Sequence, residues 1–270
     1  MPGDGAATRA SGPVLMLYNT NDSHPVSHMA RSRRSSSVAR KSPVTLALDI
    51  GGTGLKATVL DARGRMLVDR VRVETPDPAP PKVMVNALVK LVKPLPRYDR
   101  ISAGFPGVVR DGRVITAPHW GNEVWHGFPL ADTLRQRLGK PARVLNDADV
   151  QGYGAVKGKG LEFVITLGTG MGSALFRDGE LMPHMEFAQF PFRKHKTFND
   201  YVGDAARKKH SKKKWNKHVA TVIDAFRVLL NFDVLYIGGG NARHVELDLP
   251  DDVKLVSNAD GLTGGVRLWR

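Results

Sequence analysis

Val44–Ile50, VTLALDI, runs straight into Gly51-Gly52-Thr53-Gly54, and the reading of this stretch decides the fold. A mostly apolar run closed by glycines reads as a buried strand ending in a tight turn. Leu55–Leu60 reads as a second strand and Asp61-Ala62-Arg63-Gly64 as the turn after it. The same order returns about 116 residues later: the strand Phe163–Leu167, the turn Gly168-Thr169-Gly170-Met171-Gly172, the strand Ser173–Phe176 and the turn Arg177-Asp178-Gly179. Such an internal repeat points to two lobes of related construction, each opening with a hairpin. A third apolar run, Val234–Ile237, ends in Gly238-Gly239-Gly240-Asn241 and follows a helical pattern over Val219–Leu230.

Outward from these anchors, the spacing predicts a third strand over Arg65–Glu74, a loop over Pro76–Pro81 and a helix over Lys82–Val92. It further predicts strands at Ile101–Gly104 and Ala142–Asn146, and helices over Leu130–Leu138 and Ala148–Val156. A strand ending in a glycine-rich turn brings backbone N–H groups close to an anion with no side chain between. One such turn is ordinary hairpin chemistry; three, two of them repeated, point to a phosphate clamp between lobes. The other phosphate motifs are absent. Gly139-Lys140 runs into Pro141 and Gly158-Lys159 into Gly160, so no Walker A pattern exists, and no G-x-G-x-x-G links a strand to a helix.

The chain has 270 residues, no Cys and a net charge of +14. Without Cys there is neither a disulfide framework nor a Cys-ligated metal site. No run reaches the ~20 apolar residues of a spanning helix, and no secretory signal core is present, so a cytoplasmic protein is expected. The charge is concentrated. Residues 1–42, rich in Arg and Ser, carry +4 and are expected to be a disordered basic extension, or an upstream extension if translation starts at Met29. Residues 191–218 carry +8, which leaves the remainder at +2. Within 207–218, Arg207, Lys208, Lys209, Lys212, Lys213, Lys214 and Lys217 crowd into twelve residues. Like charges this dense repel one another, so a polyanionic partner is expected; the ordinary reading is a solvated basic face. Trp215 in their midst reads as a core anchor.

Four motifs together carry a family resemblance. Asp49-Ile50-Gly51-Gly52-Thr53-Gly54-Leu55-Lys56, Asn146-Asp147-Ala148-Asp149, Leu167–Gly172 and Gly238-Gly239-Gly240 occur in the order seen in ROK-type sugar kinases. More narrowly, His119-Trp120-Gly121-Asn122 with Trp125-His126-Gly127, and Lys196-Thr197-Phe198 through Tyr201-Val202-Gly203 to Lys214-Trp215-Asn216, resemble the polyphosphate glucokinases and polyphosphate/ATP glucomannokinases. The resemblance covers about residues 44–270. It implies an α/β, actin-like (ribonuclease H-like) fold of two lobes with a cleft between them. The lobes would span 43–147 and 148–259, with a C-terminal helix over about 260–270 packed on the first. The chain departs from the wider family in having no Cys, so no zinc is expected, and in reading Glu186-Phe187-Ala188-Gln189 where that family has Glu-x-x-His.

The resemblance implies phosphoryl transfer to the 6-hydroxyl of glucose from inorganic polyphosphate, ATP being a further donor. Asp147 would take the hydroxyl proton, although Asp or Asn at a helix start is also an ordinary cap. Asn122, Asn146 and Glu186 would contact the sugar. Gly51, Gly52, Thr53, Gly54, Lys56, Gly168, Thr169 and Gly170 would hold phosphate. Arg207, Lys208, Lys209, Lys212, Lys213 and Lys214 would form a polyphosphate track, and Gly238, Gly239 and Gly240 a nucleotide pocket if ATP is used. A carboxylate among phosphates repels unless a cation intervenes, so Asp49 is expected to orient Mg²⁺ through water. His184 lies beside Glu186, but a lone His is ordinarily structural or exposed. A homodimer is implied, and neither a membrane nor nucleic acid is an expected partner. The alternatives are an ATP-dependent kinase of mannose or an amino sugar, and a polyanion- or nucleic-acid-binding regulator of the same family. The regulators of the family carry an N-terminal helix-turn-helix, for which residues 1–42 offer no paired helical patterns.

Overall fold

The computed structural model describes residues 42–256 and 260–270. The expectation for the N-terminal extension therefore lies, but for Ser42, outside the described residues. The first sheet opens with β1 (Thr45–Ile50) and β2 (Leu55–Leu60), an antiparallel hairpin across the Gly51–Gly54 turn. β3 (Val71–Val73) pairs with the outer edge of β2. Helix α1 (Pro81–Val92) crosses to β4 (Arg100–Phe105), parallel to β1. A small hairpin of β5 (Val109–Arg110) and β6 (Arg113–Val114), a one-turn helix α2 (Asn122–Trp125) and α3 (Leu130–Leu138) precede β7 (Ala142–Asn146), parallel to β4.

After α4 (Asp147–Ala155) the plan repeats. β8 (Leu161–Leu167) and β9 (Met171–Arg177) form the second hairpin, with β10 (Glu180–Leu181) on its outer edge. The small hairpin β11 (Pro191–Arg193) and β12 (Lys196–Thr197) and the helices α5 (Phe198–Val202), α6 (Asp204–Lys209) and α7 (Lys212–Leu230) lead to β13 (Val234–Gly238) and β14 (Val253–Leu255), both parallel to β8. The strand orders are β3-β2-β1-β4-β7 and β10-β9-β8-β13-β14, so β1 and β8 occupy the same place in each sheet. The internal repeat read from the glycine turns is thus a repeat of topology.

Each sheet has its own core. Leu46, Leu48 and Ile50 pack with Met84, Leu88, Phe105 and Trp125 in the first. Phe163, Ile165, Val219, Phe226 and Trp215 pack in the second. Trp215 is fully buried and donates its indole N–H to the Val202 carbonyl at 3.2 Å, as expected of an anchor. α4 lies between the sheets, touching β4 and β7 on one side and β8 and β9 on the other. Asp147 thus stands where the two halves meet.

Three expectations about elements are corrected. The strand expected over Arg65–Glu74 shrinks to Val71–Val73 and one bridge, Leu60 to Met66. Asp61 accepts the N–H groups of Arg63 and Arg65 and bends the chain, and Thr58 Oγ1 takes the Val68 carbonyl that a ladder would need. The helix expected over Val219–Leu230 begins seven residues earlier, at Lys212, capped by Ser211. The C-terminal helix is helical only over Asp260–Thr263 and continues as a 3₁₀ run over Gly264–Trp269. Gly264 sits tight against the Val150 backbone and Gly265 against Ser102, so this segment packs on α4 as well as on β1 and β4. Among the described residues no helix is long and apolar enough to cross a membrane.

Candidate active site

β7 delivers Asn146 and Asp147 to the start of α4, and the two divide the local work. Asn146 is the cap: its Oδ1 accepts the N–H groups of Ala148 (2.8 Å) and Asp149 (3.4 Å), and its Nδ2 donates to the Gly107 carbonyl at 3.1 Å. Asp147 is therefore not needed as a cap. One of its carboxylate oxygens accepts the Ala148 N–H at 2.8 Å, and the other takes no internal hydrogen bond among the described residues. Gly104 of β4 lies against it: a Cβ there would come within 3.1 Å of the Asp147 Cα. Burial first, then the charge of Asp49, push the Asp147 carboxyl up to about 7; Glu186 and Asp149 add to this, and the Ala148 N–H opposes it. A carboxylate poised near neutrality is suited to general-base work.

Asp49 and Lys56 are cross-strand partners in the β1–β2 hairpin, and Lys56 Nζ donates to Asp49 Oδ2 at 2.7 Å. Lys56 thus points at the carboxylate end of the first turn. The turn is closed by Gly51 N to Gly54 O (3.1 Å) and braced by Thr75 Oγ1 on the Gly51 carbonyl (2.6 Å). Gly52 and Thr53 are exposed, and among the described residues their N–H groups have no internal partner. No three His, Cys, Asp or Glu side chains among the described residues stand together to hold a metal. Mg²⁺ in kinase sites uses one or two carboxylates plus substrate phosphates and needs no protein cage. Asp49, whose charge destabilises the ionised Asp147, fits such an ion.

The second turn is built more elaborately. Gly168 N donates to Gly170 O at 2.9 Å, and the Met171 N–H goes to Asn199 Oδ1 at 2.9 Å. Thr169 is exposed and, among the described residues, its N–H is unpartnered. The third turn packs on this one: Gly239, at φ +87°, lies so close to the Leu167 backbone that no Cβ fits, and Asn241 Nδ2 donates to the Gly168 carbonyl at 3.1 Å. The role of Gly238–Gly240 seen here is thus to brace the second turn. Asp204, the first residue of α6, donates its N–H to Gly168 O (3.1 Å) and Thr169 O (3.3 Å). The basic helices therefore start on the Gly168–Thr169 turn itself. Nothing in the sequence ties Asn199, Asp204 or Asn241 to the second turn.

The expected track is partly neutralised. Asp204 pairs with Lys208 and Arg207, whose hydrogen bonds, that of Lys208 first, pull its carboxyl down to about 2, and Lys212 pairs with Glu246. Lys209, Lys213, Lys214 and Lys217 are exposed and have no ion pair among the described residues. Three of the cations, Lys212–Lys214, form the first turn of α7, where the helix dipole is already positive. His210 senses the result: slight burial, then Lys214, His218, Lys209 and Lys196, hold its pKa below the usual value.

Glu186 stands before the short 3₁₀ turn Phe187–Gln189. His184 is buried beside it, with Nδ1 3.0 Å from Asp149 Oδ1 and Nε2 3.6 Å from Glu186 Oε1. It is thus neither exposed nor alone. Burial would lower its pKa, but the hydrogen-bonded Asp149 carboxylate and the nearby Glu186 carboxylate carry it up to about 10. Asp49, Asp147, Asp149 and Glu186 form one electrostatic group. Asn122 is exposed at the start of α2 with its Oδ1 on the Ala117 N–H (2.7 Å), and among the described residues no hydrogen bond joins it to that group. Gln189 is exposed too.

The chain matches the model of the ROK family over residues 45–185. A polyphosphate glucokinase of Mycobacterium tuberculosis is 32% identical over 213 residues, which span 75% of this chain and 80% of that protein. An N-acetylmannosamine kinase of Escherichia coli is 37% identical over 144 residues, 51% of this chain and 49% of its own length. Among solved structures, the inorganic polyphosphate/ATP-glucomannokinase of Arthrobacter sp. is similar, with a TM-score of 0.75 and 28% identity, over 84% of this chain and 98% of that one.

Proposed function

The chain belongs to the ROK family, with the actin-like fold of its sugar kinases, and from that premise we propose that it is a polyphosphate-dependent glucokinase. It transfers the terminal phosphoryl group of inorganic polyphosphate, or of ATP, to the 6-hydroxyl of glucose. The observation that carries the choice of donor is the hydrogen bonding of Asp204 to the Gly168–Thr169 turn. At about 1.5 Å per residue, a six-residue helix sets the Lys209 backbone about 8 Å from Asp204, and the unpaired lysines of α7 follow it in the chain. The triphosphate part of a nucleotide ends within such a distance; a longer phosphate chain needs cations beyond it.

In this reading the free N–H groups of Gly52, Thr53 and Thr169 hold the donor's terminal phosphates. The free oxygen of Asp147 accepts the proton as the sugar oxygen bonds to phosphorus and the bridging P–O bond breaks, leaving a donor one phosphoryl shorter. Mg²⁺, held by Asp49 through water and by the donor's own oxygens, would supply neutralisation of the phosphate charge. Lys56, fixed on Asp49, adds a positive charge at the same end. Glu186, Asn146 and Asn122 are assigned to the sugar.

The test is a donor panel with glucose (ATP, short polyphosphate and long polyphosphate) across a salt series. Turnover with long polyphosphate should fall with salt far more steeply than turnover with ATP, because each cation–phosphate contact releases a counterion. Equal slopes would remove the track. The similarity to the N-acetylmannosamine kinase favours a second reading, an ATP-dependent kinase of an amino sugar. Mannose and N-acetylmannosamine in the same panel separate the two.

A further inference from the structure

One buried group is left unused by this chemistry. The His184 side chain is 6% exposed, and its Nε2 is a buried polar atom without a hydrogen-bond partner among the described residues. At 3.6 Å from Glu186 Oε1 it is beyond hydrogen-bond range. Buried polar atoms are nearly always paired, so an orphan aimed at a cleft carboxylate asks for a function. Its other nitrogen is fixed: Nδ1 lies 3.0 Å from Asp149 Oδ1, a carboxylate 3% exposed on α4, which as a pure acceptor requires the proton on Nδ1. A neutral ring would then turn a lone pair on Nε2 toward the Glu186 carboxylate and repel it. A charged ring presents an N–H, and two flanking carboxylates favour that form. The backbone is pinned between the two side chains, since Met185 O accepts both Ser173 Oγ and Phe187 N at 3.0 Å. Asp149, His184 and Glu186 thus lead from the core, through a buried ring, to a side chain 30% exposed beside Asp147.

We propose that Asp149 and His184 form a positioning relay for Glu186, in which His184 Nε2–H holds the Glu186 carboxylate in the orientation that accepts hydrogen bonds from the acceptor sugar's hydroxyls. This rests on the sugar-kinase reading above. Glu186 touches the sugar; His184 acts through it, and Asp149 sets the ring's tautomer. The 3.6 Å gap closes when the sugar orders the carboxylate, as site hydrogen bonds often tighten on binding.

The experiment is a cycle of H184F, E186Q and the double variant, with H184Q as the milder replacement. Glucose affinity is read by calorimetry without donor, and kcat and KM by steady-state turnover. H184F should weaken glucose binding and raise KM about 10- to 100-fold, as lost orienting partners do, with kcat within about threefold of wild type. H184Q should fall between. The double variant should bind glucose no more weakly than E186Q, because the two side chains act as a unit. If H184F does not fold, H184Q and H184Q/E186Q carry the same cycle. A merely structural histidine would lower the melting temperature and leave glucose affinity unchanged. Glucose affinity within twofold of wild type in the histidine variants, or losses that multiply in the double variant, would overturn the relay. Wild type that binds glucose but turns over with no donor would refute the kinase reading alone, since the binding cycle still reads the relay.

Discussion

Asp147→Asn should make the protein more stable as it makes it inactive, and the two effects should separate along the pH axis. The folded chain raises the Asp147 carboxyl from 3.8 to about 7, through burial and then the negative charge of Asp49. Between about pH 4 and 7 the folded state keeps a proton that the unfolded chain has released, so stability falls as pH rises through that window. At about 1.4 kcal/mol for each pH unit, the full ionisation penalty has a ceiling of about 4 kcal/mol above pH 7. Asp147 is only half-buried, and solvent screening reduces this to about 1–2 kcal/mol, or about 3–6 °C in melting temperature for a chain of this size. Asparagine keeps the side chain's size and can still accept the Ala148 N–H, while removing the charge. Thermal melts without donor or Mg²⁺ should therefore coincide near pH 4 and diverge near pH 8, with the variant higher. Sugar phosphorylation should be lost at both. In the wild type, kcat/KM should decline as pH falls below about 7. A variant that melts lower near pH 8, or that retains turnover, would refute both the assignment of Asp147 as base and the electrostatic account of its environment.

Two further outcomes follow from the glycine turns and the basic helices. Lys213→Glu with Lys214→Glu, at exposed positions without ion pairs among the described residues, should raise the KM for long polyphosphate at least tenfold and flatten its salt dependence, with the KM for ATP within about twofold. Gly239→Ala should destabilise the second turn by more than the ~1–2 kcal/mol of a left-handed non-glycine residue, since its Cβ would also collide with the Leu167 backbone. Its melting curve should shift down and turnover should fall with both donors.

How much of this was legible in the sequence depended on how far apart the deciding residues lie. The hairpins at 44–60 and 163–176 were readable because strand, glycine turn and strand are adjacent, and their repetition exposed the paired sheets. Asp147 was readable because the strand before it and the helix after it fix where its side chain emerges. The failed strand at Arg65–Glu74 shows the limit of propensity. Its β-branched residues suit a strand, but Asp61 and Thr58 capture the backbone groups that a ladder requires, and Met66 and Leu67 are left half-exposed. His184 looked ordinary because its meaning lies 35 residues back in the chain, at Asp149, a separation that only the packing of α4 against the second sheet closes.

The basic segment makes the sharper point about charge. From the sequence, seven cations in twelve residues seem to demand an external polyanion, because a helix bearing them should repel itself. The fold answers part of that demand internally, through Asp204 and Glu246, which take Arg207, Lys208 and Lys212. Those pairs are on the surface and each is worth little, but their placement matters. Asp204 is also the residue whose N–H joins the helix to the Gly168–Thr169 turn, so Arg207 and Lys208 are neutralised nearest the turn, while Lys209, Lys213, Lys214 and Lys217 stay unpaired farther along the chain, with Lys212 paired among them. A site built only for a compact triphosphate gains nothing from leaving Lys209, Lys213, Lys214 and Lys217 exposed and unpaired. A site built for a chain of phosphates gains a continuous attraction along its length, with the negative charge of Asp204 as a local break where the terminal phosphates must be free to move forward after each transfer. On this argument Asp204→Asn should tighten polyphosphate binding and slow successive transfers along one chain. Product-length analysis under single-encounter conditions reads this directly, and unchanged processivity would mean that Asp204 serves the fold of the turn alone.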